Sequence, residues 1–304
     1  MAHGTMVGWA AEEMGQAALG DKRLNARLVS ICDRFSEAPE CPINQACENW
    51  AETKAAYRFF GNQAVSAADI LEPHRQMTAQ RAKLYKTILA IQDTSYFVYT
   101  SHHHTAGLGR ISLKKGKNVQ KIYSNGLIMH ACLGVTTEGV PLGLLDQRVF
   151  ARKLRSAKRR RLADVTPIEK KERDRWRESL SNTHAIMGDT QVVTVCDREA
   201  DIYDLFELSD RLNSPVLVRA NVDRAVNKQS RYAEKDVVRL WGFMHDRPAA
   251  GTKTIEIPQR KATAHTTARH ARAAILTVKF GAFGFSPPRN NIKHRKTHLP
   301  DLPM

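Results

Sequence analysis

A mixed α/β fold, with a small all-helical region ahead of a mixed sheet flanked by helices, is what this sequence predicts. Three observations carry the expectation. Residues 1 to about 75 place apolar side chains at helical spacing, and beyond about residue 84 short apolar runs of strand character take over. From there the segments alternate as strand, hairpin, helix, strand, helix, strand, an order that mixed sheets with helices on their faces generate.

The helical part opens at Trp9 with the pattern WAAEEM, and Leu19-Gly20-Asp21 reads as a helix stop followed by an N-cap. The segment KRLNARLVSICDRF puts Leu24, Leu28, Ile31 and Phe35 on one stripe, with Lys22, Arg23, Arg27 and Arg34 off it, until Pro39 and Pro42 interrupt. A second helix, NWAETKAAYRFFGN, carries Trp50, Lys54, Tyr57 and Arg58 and stops at Gly61-Asn62. Two short helices with basic exposed faces suit a small DNA-binding unit, and equally an ordinary helical region with a solvated face.

In the sheet part, Ile88 to Ile91 is an apolar run ending at Gln92-Asp93, followed by a strand-prone Tyr96 to Tyr99. Gly107 to Lys121 reads as too polar and broken for a regular element. GLIMHACLGVTT and VPLGLLDQRVF, joined at Glu138-Gly139, read as a hairpin. Arg152 to Arg161 holds seven basic residues in ten. It reads as a solvated face or a contact to a DNA backbone. Pro167 starts a charged helix with Trp176 and Leu180 inward, and Val192 to Cys196 is a buried strand ending at Asp197. A helix over Asp201 to Arg211, the strand PVLVRAN and the strand-like stretches TKTIEI and AAILTVKF complete the chain.

Composition narrows the function classes. No stretch reaches the ~18 consecutive apolar residues of a membrane helix, and the N-terminus lacks a basic region followed by an apolar one. Five cysteines without a CxxC pair argue against a disulfide framework or a zinc ribbon and suit a reducing cytoplasm. The net charge of +16 over 304 residues points to a polyanionic partner, of which nucleic acid is the commonest. No phosphate loop of the P-loop type occurs, so ATP is not implied.

Asp93 and Asp197 each follow a buried apolar strand run directly. On neighbouring strands their carboxylates would converge, and hard oxygen ligands so placed suit Mg²⁺ or Mn²⁺ together with substrate phosphates. Each also has an ordinary structural alternative: Asp93 as a turn cap, Asp197 as the N-cap of Arg198-Glu199-Ala200.

The words IQDTSYF around Asp93 and VCDREADIYDLF around Asp197 resemble the first and second catalytic strands of DDE transposases of the insertion-sequence-four type, the group of the transposon-five transposase. AALGDKRLNARL and KAAYRFFGNQAVSAADIL resemble that family's end-binding helices, so the resemblance runs from about Trp9 to Arg219. It implies a ribonuclease-H-like sheet, with Asp93 and Asp197 as catalytic, metal-binding carboxylates and Mg²⁺ (or Mn²⁺) as cofactor. It implies double-stranded DNA as partner, both transposon ends and target, and a homodimer in full-length members. Lys22, Arg23, Arg27, Lys54 and Arg58 fall in the end-binding segments, where phosphate contacts position the protein. Arg219 resembles a residue lining the DNA channel, with a structural ion pair as its alternative. The domains expected are 1–75 for end binding, 76–250 for the catalytic core and 251–304 for the start of a β-rich insertion. The reaction implied is cut-and-paste transposition by metal-dependent cleavage and strand transfer.

The family's third acid is a glutamate on a later helix, between a Tyr–Arg pair and a Lys, and this sequence has no such motif. The last tyrosine is Tyr232, and beyond Glu256 the acid that remains is Asp301. The expectation is a chain ending inside the insertion, with an unpaired final strand and little strand-transfer activity. Two rival readings follow: a module that occupies transposon ends without catalysis, and a metal-dependent nuclease that only nicks. Glu199 and Asp201 are expected to complement a helix dipole, His102 to His104 to form a solvated loop, and His130 to sit in the core or a channel. His265 and His270 do not share a helical face, and Cys196 is expected to be inert packing.

Overall fold

A computed structural model of the chain describes residues 8–102, 104–112, 123–152, 174–226, 238–263, 266–285 and 302–303. These divide into two units, one of Met1–Ala200 with Arg211–Arg219 and the other of Asp201–Asp210 with Ala220–Met304.

The first unit begins with helices α1 (Trp9–Met14), α2 (Lys22–Glu37), α3 (Ile43–Ala46), α4 (Trp50–Phe60) and α5 (Ala67–Ala82). Asp21 caps α2 as expected, its carboxylate accepting the Arg23 N–H at 2.8 Å. Helix α1 stops at Met14, earlier than the Leu19-Gly20 signal, and Gly20 instead takes a positive φ of 75° in the turn before α2. Leu28 and Ile31 of the expected stripe are buried against Ala56 and Phe59 of α4, with Leu24 and Phe35 at the margin. Helix α5 carries Pro73 within its length.

A six-stranded sheet follows: β1 (Thr87–Tyr99), β2 (Gly109–Ser112), β3 (Tyr123–Thr136), β4 (Pro141–Phe150), β5 (Gln191–Cys196) and β6 (Val216–Val218). Its order is β2-β3-β1-β5-β6, with β4 pairing the same side of β3 beyond β2. Strands β1, β3 and β4 run antiparallel in turn, while β5 and β6 lie parallel to β1. That arrangement is a mixed sheet, a meander followed by two parallel strands. Two sequence expectations change here. The runs before and after Asp93 are one thirteen-residue strand, because β3 pairs with β1 continuously from Ile88 to Tyr99. Gly109 to Ser112 pairs with the start of β3, so part of the glycine- and lysine-rich stretch is a strand. Residues 113–122, most of the Arg152–Arg161 run, and His103, Tyr232, His265 and Asp301 lie outside the described residues.

Helix α5 and helix α6 (Asp174–Met187) pack on one face of the sheet. Ala79, Ala82, Ile88, Ala90, Cys132, Leu142, Leu145, Met187 and Val192 form its core, and Trp176 and Leu180 point inward as expected. Gly143 permits this closeness: a Cβ there would lie 2.2 Å from Thr78 Oγ1, on a backbone with φ 133°. Glu13 of α1 is tied to α5 where that helix meets the sheet. Glu13 of α1 accepts two hydrogen bonds from Arg81 at 2.8 Å, and His74 Nδ1 sits 2.6 Å from it. Arg81 Nε in turn donates to Leu142 O, and the Leu144 N–H donates to His74 Nε2, both at 2.8 Å. The opposite face exposes apolar side chains, among them Ile91, Leu133 and Leu217.

The second unit contains most of α7 (Tyr203–Leu212), α8 (Leu240–His245) and a ribbon of β7 (Gly251–Ile257) with β8 (Arg272–Val278). The ribbon matches the two strand-like stretches, whereas α8 has no counterpart in the sequence reading. The short strands β9 (Gly284–Phe285) and β10 (Leu302–Pro303) pair with each other, in place of the unpaired edge expected there. Asp201 does not serve a helix dipole alone: it pairs with Arg224 and accepts the N–H groups of Asn221 and Val222 at 2.7 and 3.0 Å.

Candidate functional site

Strand pairing brings the segments that carry Asp93 and Asp197 side by side. Parallel pairing sets Thr87 opposite Gln191 and Ile91 opposite Val195. Asp93 lies in β1 two residues beyond the last of these pairs, and Asp197 directly follows the end of β5 at Cys196. Alternation places both on the face of Ile91 and Val195, away from α5 and α6, and both are exposed. Asp93 therefore stands in mid-strand and caps no turn. Asp197 does cap the 3-10 turn Arg198–Ala200, its Oδ1 accepting the Glu199 N–H at 2.8 Å. The capping alternative and the convergence of carboxylates hold together at this residue.

Two adjacent exposed carboxylates form a hard-oxygen donor pair, which fits Mg²⁺ or Mn²⁺ held by one or two carboxylates with substrate phosphates completing the shell. Among the described residues no third histidine, cysteine or acid joins them in a metal-sized group. Glu199 is turned elsewhere, to Arg175 at 2.7 Å.

Beneath the pair lies a polar network that the residue types alone did not reveal. Arg175 Nε donates to Thr94 Oγ1 at 3.1 Å. Thr94 Oγ1 is 2.9 Å from His130 Nδ1, and His130 Nε2 is 3.2 Å from Gln92 Oε1. Guanidinium groups only donate, so the chain of donation runs Arg175 to Thr94 to His130 to Gln92, with the imidazole protonated at Nε2. His130 is fully buried and stacks edge-on against Trp176 at 4.5 Å. Burial, with the charges of Arg175 and Arg148, pulls it down to about 4, so it is a neutral core histidine. Cys196 is buried and its thiol is pushed up by desolvation first and then by nearby Cys132 and Asp197, which leaves it inert.

The basic candidates divide by environment. On α4, Thr53, Ala56 and Phe59 face the core, leaving Trp50, Lys54, Tyr57 and Arg58 outward. Lys54 Nζ lies 5.3 Å from the centroid of Trp50, itself 66% exposed. Lys22 is exposed and Arg27 half-buried. Arg23 is 91% exposed and pairs with its own N-cap, Asp21, at 3.0 Å. Arg219 follows β6 directly; its N–H donates to Cys196 O at 3.2 Å and its side chain is exposed. Among the described residues no ion pair of Arg219 occurs.

Residues 6–65 match a protein-family model described as "Transposase DNA-binding". Among solved structures, the chain is similar to a "Mos1 transposase paired-end complex with left transposon end" at 11% identity, covering 63% of this chain and 58% of that one, with a TM-score of 0.23. It is similar to the "Mos1 Strand Transfer Complex" at 14% identity, covering 63% and 57%, with a TM-score of 0.23. This chain thus spans under three fifths of the solved chains it matches.

Proposed function

We propose that this chain acts as a DNA transposase of the DDE, insertion-sequence-four type, holding transposon ends with its N-terminal helices and cleaving DNA at Asp93 and Asp197. The observation that carries the reading is the placement of Asp93 on β1 and Asp197 just beyond its parallel neighbour β5, in a sheet that follows a region matching a transposase DNA-binding model. The match supports double-stranded DNA as the partner, and the charge of +16 supports it independently.

Asp93 and Asp197 offer carboxylate oxygens on one exposed face, and the Glu199 N–H fixes the orientation of Asp197. Asp93 and Asp197 would hold a Mg²⁺ or Mn²⁺ ion, which would supply charge neutralisation at a scissile phosphodiester and activation of the attacking water. Lys22, Arg23, Arg27, Lys54 and Arg58 neutralise phosphates of the end sequence, and Arg219 does so beside the carboxylates. Among the described residues no group of three potential metal ligands forms, and the second reading is a module that occupies ends without cutting them.

The test uses purified chain with duplexes from the DNA flanking its own coding sequence, against random duplexes, with and without Mg²⁺. The expected result is preferential end binding, unchanged in Asp93→Asn, with Mg²⁺-dependent cleavage lost in both Asp93→Asn and Asp197→Asn. End binding without cleavage selects the second reading. Equal binding of end and random duplexes at every salt concentration refutes both.

A further inference from the structure

The two strands bearing Asp93 and Asp197 are tied together from behind by a single side chain. Arg175 projects from α6 into the sheet and is only 7% exposed. Its Nε reaches Thr94, the residue after Asp93, and a terminal nitrogen reaches Glu199, whose backbone N–H holds the Asp197 carboxylate. The guanidinium lies 5.6 Å from the Trp176 ring centroid, which packs on His130, so the fork is braced on one side by the core. A planar fork can satisfy two acceptors at a fixed separation, which a single ammonium cannot. Burying a cation costs several kcal/mol unless it is paired; here its anion Glu199 sits in the turn that follows β5, and its second acceptor, Thr94, sits on β1.

We infer that Arg175 is a positioning residue for the Asp93–Asp197 pair, fixing the distance and orientation of the two carboxylates through Thr94 and Glu199. The inference rests on the proposed reading that this pair binds a divalent cation. It differs in consequence from simple electrostatics. Removing a cation near a cation site strengthens metal binding by charge alone, whereas removing a positioning residue weakens it. Outer-shell partners of metal ligands typically account for 10–100-fold in affinity.

The experiment measures Mn²⁺ affinity of the full chain by calorimetry and by the paramagnetic broadening of water protons, without DNA and without any activity readout. Wild type is compared with Asp93→Asn, Asp197→Asn, Arg175→Gln, Arg175→Lys and Glu199→Gln. The expected results are loss of the site in both aspartate variants, and a 10–100-fold weaker affinity in Arg175→Gln that Arg175→Lys does not restore. Glu199 is 51% exposed and its amide replacement still offers Arg175 an oxygen acceptor, so Glu199→Gln is expected to fold with a lowered melting temperature. It should weaken Mn²⁺ about tenfold at a temperature where circular dichroism shows it fully folded. If the aspartate variants bind Mn²⁺ like wild type, the metal-site reading fails and the inference with it. If they lose the site while Glu199→Gln and Arg175→Gln keep or improve affinity, the inference alone is overturned. Full restoration by Arg175→Lys also overturns it, since charge and not the two-armed span would then suffice.

Discussion

His130 shows how a single residue ties pH to stability. Its ordinary value near 6.5 falls to about 4 in the folded chain, through burial first and then Arg175 and Arg148. Between those values the unfolded chain binds more protons than the folded one, so stability falls as the pH drops. The linkage predicts a loss of about 2 kcal/mol between pH 7 and pH 5 from this residue. Urea titrations at the two pH values should show it, and His130→Gln should remove most of the difference. An undiminished slope in the variant would assign the pH dependence to other groups. That a histidine stands inside the apolar run GLIMHACLGV is plain in the sequence. Its neutrality is not, since it depends on Thr94, Gln92 and Trp176, which arrive from β1 and α6.

Polar contacts join the elements alongside their apolar packing, and the Glu13 cluster ties α1 to α5 where α5 meets β4. The Glu13 carboxylate is raised by burial and lowered by more than that through Arg81, first by hydrogen bonding and then by charge, with His74 adding to it. Its folded value therefore lies below its ordinary 4.5, so its contribution is present above that range and vanishes as the pH falls through the lowered value. Glu13→Gln is expected to cost about 2 kcal/mol at neutral pH, because it leaves the half-buried Arg81 without its anion. The two proteins should converge in thermal stability once the pH has fallen through that lowered value; a gap that persists at the acid limit would refute an ionic origin. Helix α2 shows the opposite degree of legibility. Its cap, its stripe and its stop before Pro39 are all local signals, and all are realised. The local signals misplaced the end of α1 and missed α8, a six-residue helix too short to show a periodicity.

On the scale of the whole chain, the charge of +16 governs how the protein meets a polyanion. End-DNA affinity should fall steeply with salt, with a logarithmic slope of about 0.9 per phosphate neutralised. Lys54→Ala and Arg58→Ala should each lower that slope by about one, measured by anisotropy between 50 and 300 mM salt. No change in either variant would remove α4 from the DNA interface. The charge, the helical region with its stripe and cap, the mixed α/β class and the two aspartates that follow apolar runs were determined by the amino-acid sequence alone. Each rests on composition or on contacts within a few residues, where propensity and periodicity act. Only the tertiary structure decided that the strand carrying Asp93 pairs in parallel with the strand that Asp197 follows, that one strand runs unbroken through Asp93, and that Arg175 reaches both Thr94 and Glu199. Those facts depend on contacts between residues far apart in the chain, up to 104 positions for Thr87 and Gln191, and register between such strands is set by the packing of a whole sheet face against α5 and α6, which no local pattern encodes.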